Sequence, residues 1–352
     1  MNHKARHFIF GFVFACQLAF GDTRCGGEGP KPFVDVTAEF QHHWQLVKTP
    51  GNVKDFLVWE NQNALLYRDS SDRLQTTSLI TNDTQFLTWM TTPLARLVDP
   101  SERYILGFRH GWGFFDTAQP GAWISFSQEP LEPLFWYGAH FYGLKSTINR
   151  KGEQNLLIYR YRAGTQLARV VCEYTMPAGN HFRVANGHAD PYAYFYQVEN
   201  TPRGKYLILF RLNVFDCALG WEASYVYPIE GEIEDVFRFV NIDSAAIVIN
   251  HPTKKLLWDT PRRCQYYDLE NMKPIIFTDK QPVLATWSQQ KGLNLFYLDA
   301  GKKARILGGL PMTHLTPSDL WLTSNGKRLF VASEMERGRK VIEVFLPAFP
   351  RR

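Results

Sequence analysis

The chain has 352 residues, 45% of them apolar and 15% aromatic, which supplies a sizeable core and argues against general disorder. Lys and Arg number 39 against 34 Asp and Glu, a formal net charge of +5. The basic residues are scattered, with no run beyond pairs such as Lys254-Lys255, Arg262-Arg263 and Lys302-Lys303. That pattern argues against nucleic acid or an anionic membrane as the main partner.

The first segment differs from the rest. Asn2 to His7 is basic, Phe8 to Phe20 is mostly apolar, and Ala19-Phe20-Gly21 places small residues at the -3 and -1 positions of a cleavage site. Residues 1–21 therefore read as a secretory signal peptide, and the expected location is periplasmic or extracellular. The apolar part is short for a membrane span, and no other window reaches ~18 apolar residues. Cys16 leaves a lipoprotein site as the alternative. Cleavage after Gly21 removes Lys4 and Arg6, leaving 37 basic against 34 acidic residues, a net charge of +3. It also leaves Cys25, Cys172, Cys217 and Cys264. In an oxidising compartment these allow up to two disulfides, by any of three connectivities. No CxxC, CxxCH or paired Cys/His spacing occurs, so a zinc site or covalently attached haem has almost no support and no cofactor is expected, while a metal is left open.

Residues 22–32 form a leader. The alternating segment 33–40 then reads as an outer strand. Beyond it, one phrase recurs: two apolar strand-like runs joined by a short turn and stopped by an acid. It appears as DFLVWENQNALLYRD (55–69), RYILGFRHGWGFFD (103–116), KYLILFRLNVFD (205–216), SAAIVINHPTKKLLWD (244–259) and PVLATWSQQKGLNLFYLD (282–299). The stopping residues Asp69, Asp116, Asp216, Asp259 and Asp299 are 47, 100, 43 and 40 residues apart, and the 100 spans about two units. Residues 155–170 fit the missing unit without the acid, and 328–345 form a last unit with Glu343 near the expected position. Seven units between about residues 40 and 346 match the period of propeller blades.

The expected fold is therefore all-β: a seven-bladed β-propeller of four-stranded antiparallel blades. It is one domain over residues 33–346, followed by the tail 347–352. The last unit has only three strands, near 319–323, 328–333 and 340–345. The segment 33–40 is expected to pair with it and close the ring. The stopping aspartates are expected to accept hydrogen bonds from the turns that follow them.

Asp99-Pro100-Ser101-Glu102-Arg103-Tyr104-Ile105-Leu106 and Thr323-Ser324-Asn325-Gly326-Lys327-Arg328-Leu329-Phe330-Val331-Ala332 resemble the S-P-D-G-K-R-L-Y-V hairpin of bacterial YVTN-type and WD40-like β-propellers. Lactonase-like propellers, amine dehydrogenase heavy chains and haem d1 propellers belong to that broad group. Asn186-Gly187-His188 followed by Phe215-Asp216, and the pair Trp258-Asp259, are similar to the Gly-His and Trp-Asp elements of a WD40 unit. Most units lack the Gly-His, and most acids lack the preceding Trp. The resemblance implies architecture, because these hairpins carry the scaffold and not a reaction.

Propeller ligands sit over the central channel, where imidazole and carboxylate groups from several blades can converge. His140, His188, Asp190 and His314 are the ligand-binding candidates on that reading. Capping and cross-linking of turns is the alternative role for His188 and Asp190. Arg109 and His110 read as a solvated turn. The aromatic-rich middle offers Trp136, Tyr137, Tyr192 and Trp221 as partner-surface candidates, with packing between blades as the alternative. No GxSxG elbow, P-loop, HExxH or EF-hand loop is present. The expected function is an exported soluble platform for a protein or other extracytoplasmic ligand. The alternative is a lactonase-like or amine dehydrogenase-like enzyme or redox subunit working at the channel mouth.

Overall fold

The structure is a computed structural model. It describes residues 43–346 except 92–93, 95–98, 109, 120–121, 130, 177, 179–181, 186–191, 202–203, 228–230, 240–243, 252, 260–263, 271, 278–282, 289, 291, 298–318 and 324. The described residues are built from antiparallel sheets, and they form a β-propeller.

After β1 (His43–Leu46), the chain lays down its sheets in sequence order. β2 (Val53–Trp59), β3 (Ala64–Asp69), β4 (Arg73–Ser78) and β5 (Thr84–Trp89) form one sheet. β6 (Tyr104–Phe108), β7 (Trp112–Asp116) and β8 (Trp123–Ser127) form the next. Then come β9 (Glu132–Tyr137), β10 (His140–Ile148), β11 (Gln154–Arg162) and β12 (Ala168–Met176). The next four-stranded sheet holds β13 (Arg183–Val184), β14 (Tyr192–Thr201), β15 (Gly204–Asn213) and β16 (Leu219–Tyr227). β17 (Glu232–Phe239), β18 (Ser244–His251), β19 (Thr253–Asp259) and β20 (Cys264–Glu270) follow. β21 (Lys273–Phe277), β22 (Val283–Ser288) and β23 (Gly292–Tyr297) make a three-stranded sheet. Finally β24 (Leu320–Leu322), β25 (Arg328–Met335) and β26 (Gly338–Phe345) recruit β1 in the order β1-β26-β25-β24. Among the described residues, five sheets have four strands and two have three, so the expectation of four strands in every blade is met only in part.

The apolar runs explain the stacking. Leu65, Leu66 and Tyr67 in β3 are all fully buried, as are Leu106 in β6 and Phe114 in β7. A strand buried on both faces needs a sheet on each side, and the cores lie accordingly between sheets. Val58 and Tyr67 pack with Phe330 and Val341 of the last sheet. Leu57 and Leu66 on the opposite face pack with Ile105 and Phe115 of the next. Leu106 and Phe114 join Trp136, Phe141 and Tyr161. Phe135, Tyr142 and Ile158 join Phe195 and Phe210. Close approach is part of this packing: a Cβ added at Gly113 would lie 2.6 Å from the Trp123 ring and 2.8 Å from the Ile124 carbonyl oxygen. Gly113→Ala is expected to cost about 1–3 kcal/mol, read from urea unfolding, because neither backbone nor indole has room to retreat.

Ring closure comes from β1, which pairs antiparallel with β26 in the register His43 to Phe345 and Leu46 to Ile342. The Gln45 side-chain amide donates to the Glu343 carboxylate at 2.8 Å, and the Val47 amide donates to the Val341 carbonyl at 2.9 Å. The closing strand is thus residues 43–46; the expected segment 33–40 lies outside the described residues, as do the signal peptide and leader. β1 covers the outer edge of β26 and becomes the outer strand of the last sheet.

The recurrent phrase is less uniform than its sequence. Residues 244–259 and 328–345 are the two middle strands of their sheets, but 55–69 are the first and second strands, β2 and β3. In the run 205–216 there is one strand, β15, and not two: it extends through Asn213, and residues 214–216 form the turn that follows. The acids do what their chemistry requires. Asp69 accepts from the Ser71 and Arg73 amides at 2.8 and 3.0 Å, Asp116 from the Ala118 amide at 3.0 Å, and Asp216 from the Ala218 amide at 2.9 Å. Arginines complete two of them: Arg73 bridges to Asp69 at 2.7 Å and Arg103 to Asp116 at 2.8 Å.

The two family-like hairpins share one geometry. Asp99 and Thr323 each donate their amide to the carbonyl five residues on, at 3.0 and 2.9 Å, and accept that residue's amide on their own side chain. Gly326 takes φ +68° where Glu102 takes φ +57°. A non-glycine residue tolerates that conformation at a cost. Here the Glu102 carboxylate reaches the preceding sheet and accepts the Asn61 amide at 3.1 Å.

Candidate functional site

In a propeller the first strand of each sheet lines the channel, so residues where those strands begin surround one channel mouth. Two regions of that mouth differ. At the closure seam, Asp55 near the start of β2 is bound by Arg68 through Nε and Nη2, the latter at 2.6 Å. Arg68 also bonds Asp72 at 3.0 Å and the Thr91 carbonyl at 2.7 Å. Asp319, entering β24, pairs with Arg339, whose other nitrogen donates to the Lys54 carbonyl at 3.1 Å. These are satisfied structural pairs.

Farther round the ring the balance changes. Glu132 begins β9, Arg183 begins β13, and Asp235 lies near the start of β17 at a β-bulge between Ile233 and Asp235. Bulges re-aim side chains, and this one turns Asp235 so that its carboxylate accepts the Val236 amide at 2.9 Å. Tyr196 stands opposite Arg183 in the β13–β14 register, is almost fully buried, and hydrogen-bonds to it. Burial pushes the Tyr196 phenol up; Arg183 opposes that shift, and the charges of Asp235 and Glu132 add to it. Three consecutive sheets therefore bring two acids and a guanidinium within electrostatic reach of the Tyr196 phenol.

Glu132 is the unusual member. It keeps accessible surface, yet protein crowds it enough that desolvation alone holds its carboxyl above the ordinary carboxylate range. It has no hydrogen-bonded or ion-paired partner among the described residues. Because its folded pKa is raised, the ionised form opposes folding above the unfolded pKa. That penalty grows as pH rises to the folded pKa and vanishes in acid. Glu132→Gln is expected to raise the thermal midpoint at pH 7 and above, with the gain disappearing near pH 3–4 in paired melts. Such a group, within electrostatic reach of a phenol, can donate or accept a proton and hydrogen-bond a hydroxylated ligand. No group of three or more potential metal ligands occurs among the described residues.

Of the expected ligand residues, His140 begins β10, opposite Tyr137 and Arg162. That places it at the far end of β9 from Glu132, away from this mouth. Its imidazole is pulled down by burial and by the Arg160 and Arg162 charges. His188, Asp190 and His314 lie outside the described residues. His110 is an exposed turn residue at φ +55°, and Arg109 lies outside the described residues. Among the aromatics, Trp136 is buried and packs against Phe114 and Phe141, so it is core and not partner surface. Its neighbour Tyr137 faces the other side of the strand and is 41% exposed, as period-two alternation demands. Tyr192 is half-buried, packs on the core between two sheets and lies under Arg211 at 5.1 Å. Trp221 falls within β16. Cys172 and Cys217 form a disulfide with Cα atoms 5.5 Å apart, while Cys25 lies outside the described residues and Cys264 begins β20.

Glu132, Arg183, Tyr196 and Asp235 escape motif reading because they come from four different strands in three sheets. One signal was available: residues 132, 183 and 235 are 51 and 52 residues apart, one blade period each time.

Solved structures with this architecture are numerous and distant. The RRP9 WD40 repeats align with a TM-score of 0.53 at 9% identity, covering 88% of this chain and 100% of that one. The β-propeller domain of Myceliophteria thermophila Cps50 (Swd1) aligns with a TM-score of 0.52 at 10% identity, covering 86% and 99%. An oligogalacturonate lyase in complex with manganese aligns with a TM-score of 0.52 at 12% identity, covering 90% and 97%. No protein-family description and no curated protein matches the chain. The chain is a β-propeller with a fold-level likeness to the WD40 and YVTN-type group.

Proposed function

We propose that the chain is an exported, seven-bladed β-propeller, one blade per sheet, that serves as a rigid recognition platform. It holds a protein or other extracytoplasmic ligand over the mouth lined by Glu132, Arg183, Tyr196 and Asp235. The observation that carries this reading is the contrast around the mouth: Asp55 and Asp319 are bound by arginines, whereas Glu132 is exposed and has no hydrogen-bonding or ion-paired partner among the described residues. Export is supported by the signal-peptide pattern and by the Cys172–Cys217 disulfide, since such bonds persist in oxidising compartments. Binding of proteins is a common use of the WD40 architecture that this fold resembles.

The test uses immobilised mature chain exposed to secreted proteins and glycans, beside an Arg183→Glu variant. A ligand retained by the wild type and lost at least about tenfold in the variant supports the mouth as the site. Equal retention by both overturns it. A second reading, a propeller enzyme, draws support from the raised Glu132 carboxyl and from the two aligned structures that are oligogalacturonate lyases. Incubation with oligogalacturonate and manganese separates the two readings: a new ultraviolet-absorbing unsaturated product favours the enzyme, and unchanged substrate favours the platform.

A further inference from the structure

A different corner of the molecule carries an arrangement that folding alone does not explain. On one face of the third sheet, Tyr137, His140 and Arg162 stand in one row across β9, β10 and β11. In the next row Arg160 stands directly opposite Arg169 of β12, the outermost strand. Like charges directly opposed in a sheet repel and weaken it. Arg162 and Arg169 are exposed and Arg160 is half-buried, and none of the three has an ion-paired acid among the described residues. The His140 imidazole is pulled down by burial and, beyond that, by the Arg160 and Arg162 charges. Asp216 in the neighbouring turn is engaged with the Ala218 amide.

Beside these cations lies an exposed aromatic pair. Tyr137 meets Phe215 of the next sheet edge to face with centroids 5.1 Å apart, and Phe215 is 54% exposed. Phe215 sits in the turn that carries Cys217, and the bridge to Cys172 pins that turn against this sheet. The aromatic pair is therefore held in place before any partner arrives.

We propose that this corner docks an extended acidic polypeptide segment with one apolar anchor. Arg160 and Arg162 project on the same side about 7 Å apart, and an extended peptide presents alternate side chains at that same interval. Carboxylates at alternate positions meet the two guanidiniums in charge-assisted bonds, and Arg169 flanks the first of them. An apolar residue at one end covers Tyr137 and Phe215. Docking relieves the Arg160–Arg169 repulsion, which gives the partner a differential affinity that an uncharged peptide lacks.

The probe is a fluorescein-labelled dodecapeptide with glutamate at alternate positions and a terminal tryptophan, followed by fluorescence anisotropy. Saturable binding is expected at low salt, weakening as salt rises, with none for the same peptide carrying lysine in place of glutamate. Arg160→Glu with Arg162→Glu is expected to weaken binding at least about tenfold, and Tyr137→Ser about threefold or more. The pair Arg162→Glu and Arg169→Glu, at two exposed positions, guards against a folding artefact and is expected to act in the same direction. In NMR titrations of wild type, the His140 imidazole pKa is expected to rise when the peptide binds. Absence of saturable binding, binding unchanged in both double variants, or stronger binding of oligogalacturonate than of the peptide overturns the proposal. Each of those results leaves the channel-mouth reading intact, because that reading is judged by Arg183→Glu.

Discussion

Replacing both bridged cysteines, Cys172→Ala with Cys217→Ala, is expected to cost about 4 kcal/mol of unfolding free energy on the chain-entropy account. The bridge closes a loop with a sequence separation of 45 residues, long enough for its loss to free much of the unfolded chain. It ties β12, the outer strand of one sheet, to the turn after β15 in the next, and Cys172 belongs to the core between them. Urea unfolding of the variant beside the oxidised wild type reads the difference. Hydrogen exchange should quicken first in residues 168–176. A midpoint indistinguishable from wild type would remove the bridge from the account of how these two sheets stay together.

The second large effect is expected at Phe114. Its ring is fully buried and meets Phe126, Trp136 and Phe141 at centroid distances of 4.5, 5.4 and 6.2 Å, so it joins two sheets. Phe114→Ala is expected to cost about 3–5 kcal/mol, combining lost transfer energy with the cavity left behind. Phe108 is the internal control. It also has an aromatic neighbour, Trp112 at 5.5 Å, but is 49% exposed, and Phe108→Ala should cost about 1 kcal/mol or less. Equal losses at the two positions would contradict a core placed between the sheets.

The fold was largely legible because its signals are local. Runs such as Tyr104-Ile105-Leu106 need burial on both faces, and acids such as Asp69 and Asp116 mark turns through bonds that reach only a few residues ahead. What the repeated phrase conceals is which strands it names, since 55–69 and 244–259 read alike yet occupy different places in their sheets. A strand's position depends on its neighbours across the sheet, and hydropathy does not record that. The site was less legible. Histidines draw attention through their chemistry, but His140 lies at the far end of its blade from the channel-mouth cluster. Glu132, Arg183 and Asp235 look like ordinary surface charges until three strands stand side by side. Trp136 and Tyr137 show the limit at single-residue scale: adjacent in sequence, one is core and the other surface.

Closure of the ring by β1 is the feature on which every other placement depends, and disulfide trapping tests it most directly. Directly opposed antiparallel residues have Cα atoms about 4.5–5.5 Å apart, within reach of a disulfide. His43 and Phe345 are such a pair, so His43→Cys with Phe345→Cys should cross-link under mild oxidation and yield one joined peptide by mass spectrometry. The offset pair His43→Cys with Glu343→Cys should cross-link far less. Failure of the first pair, or equal trapping of both, would contradict a ring sealed by its own N-terminal strand.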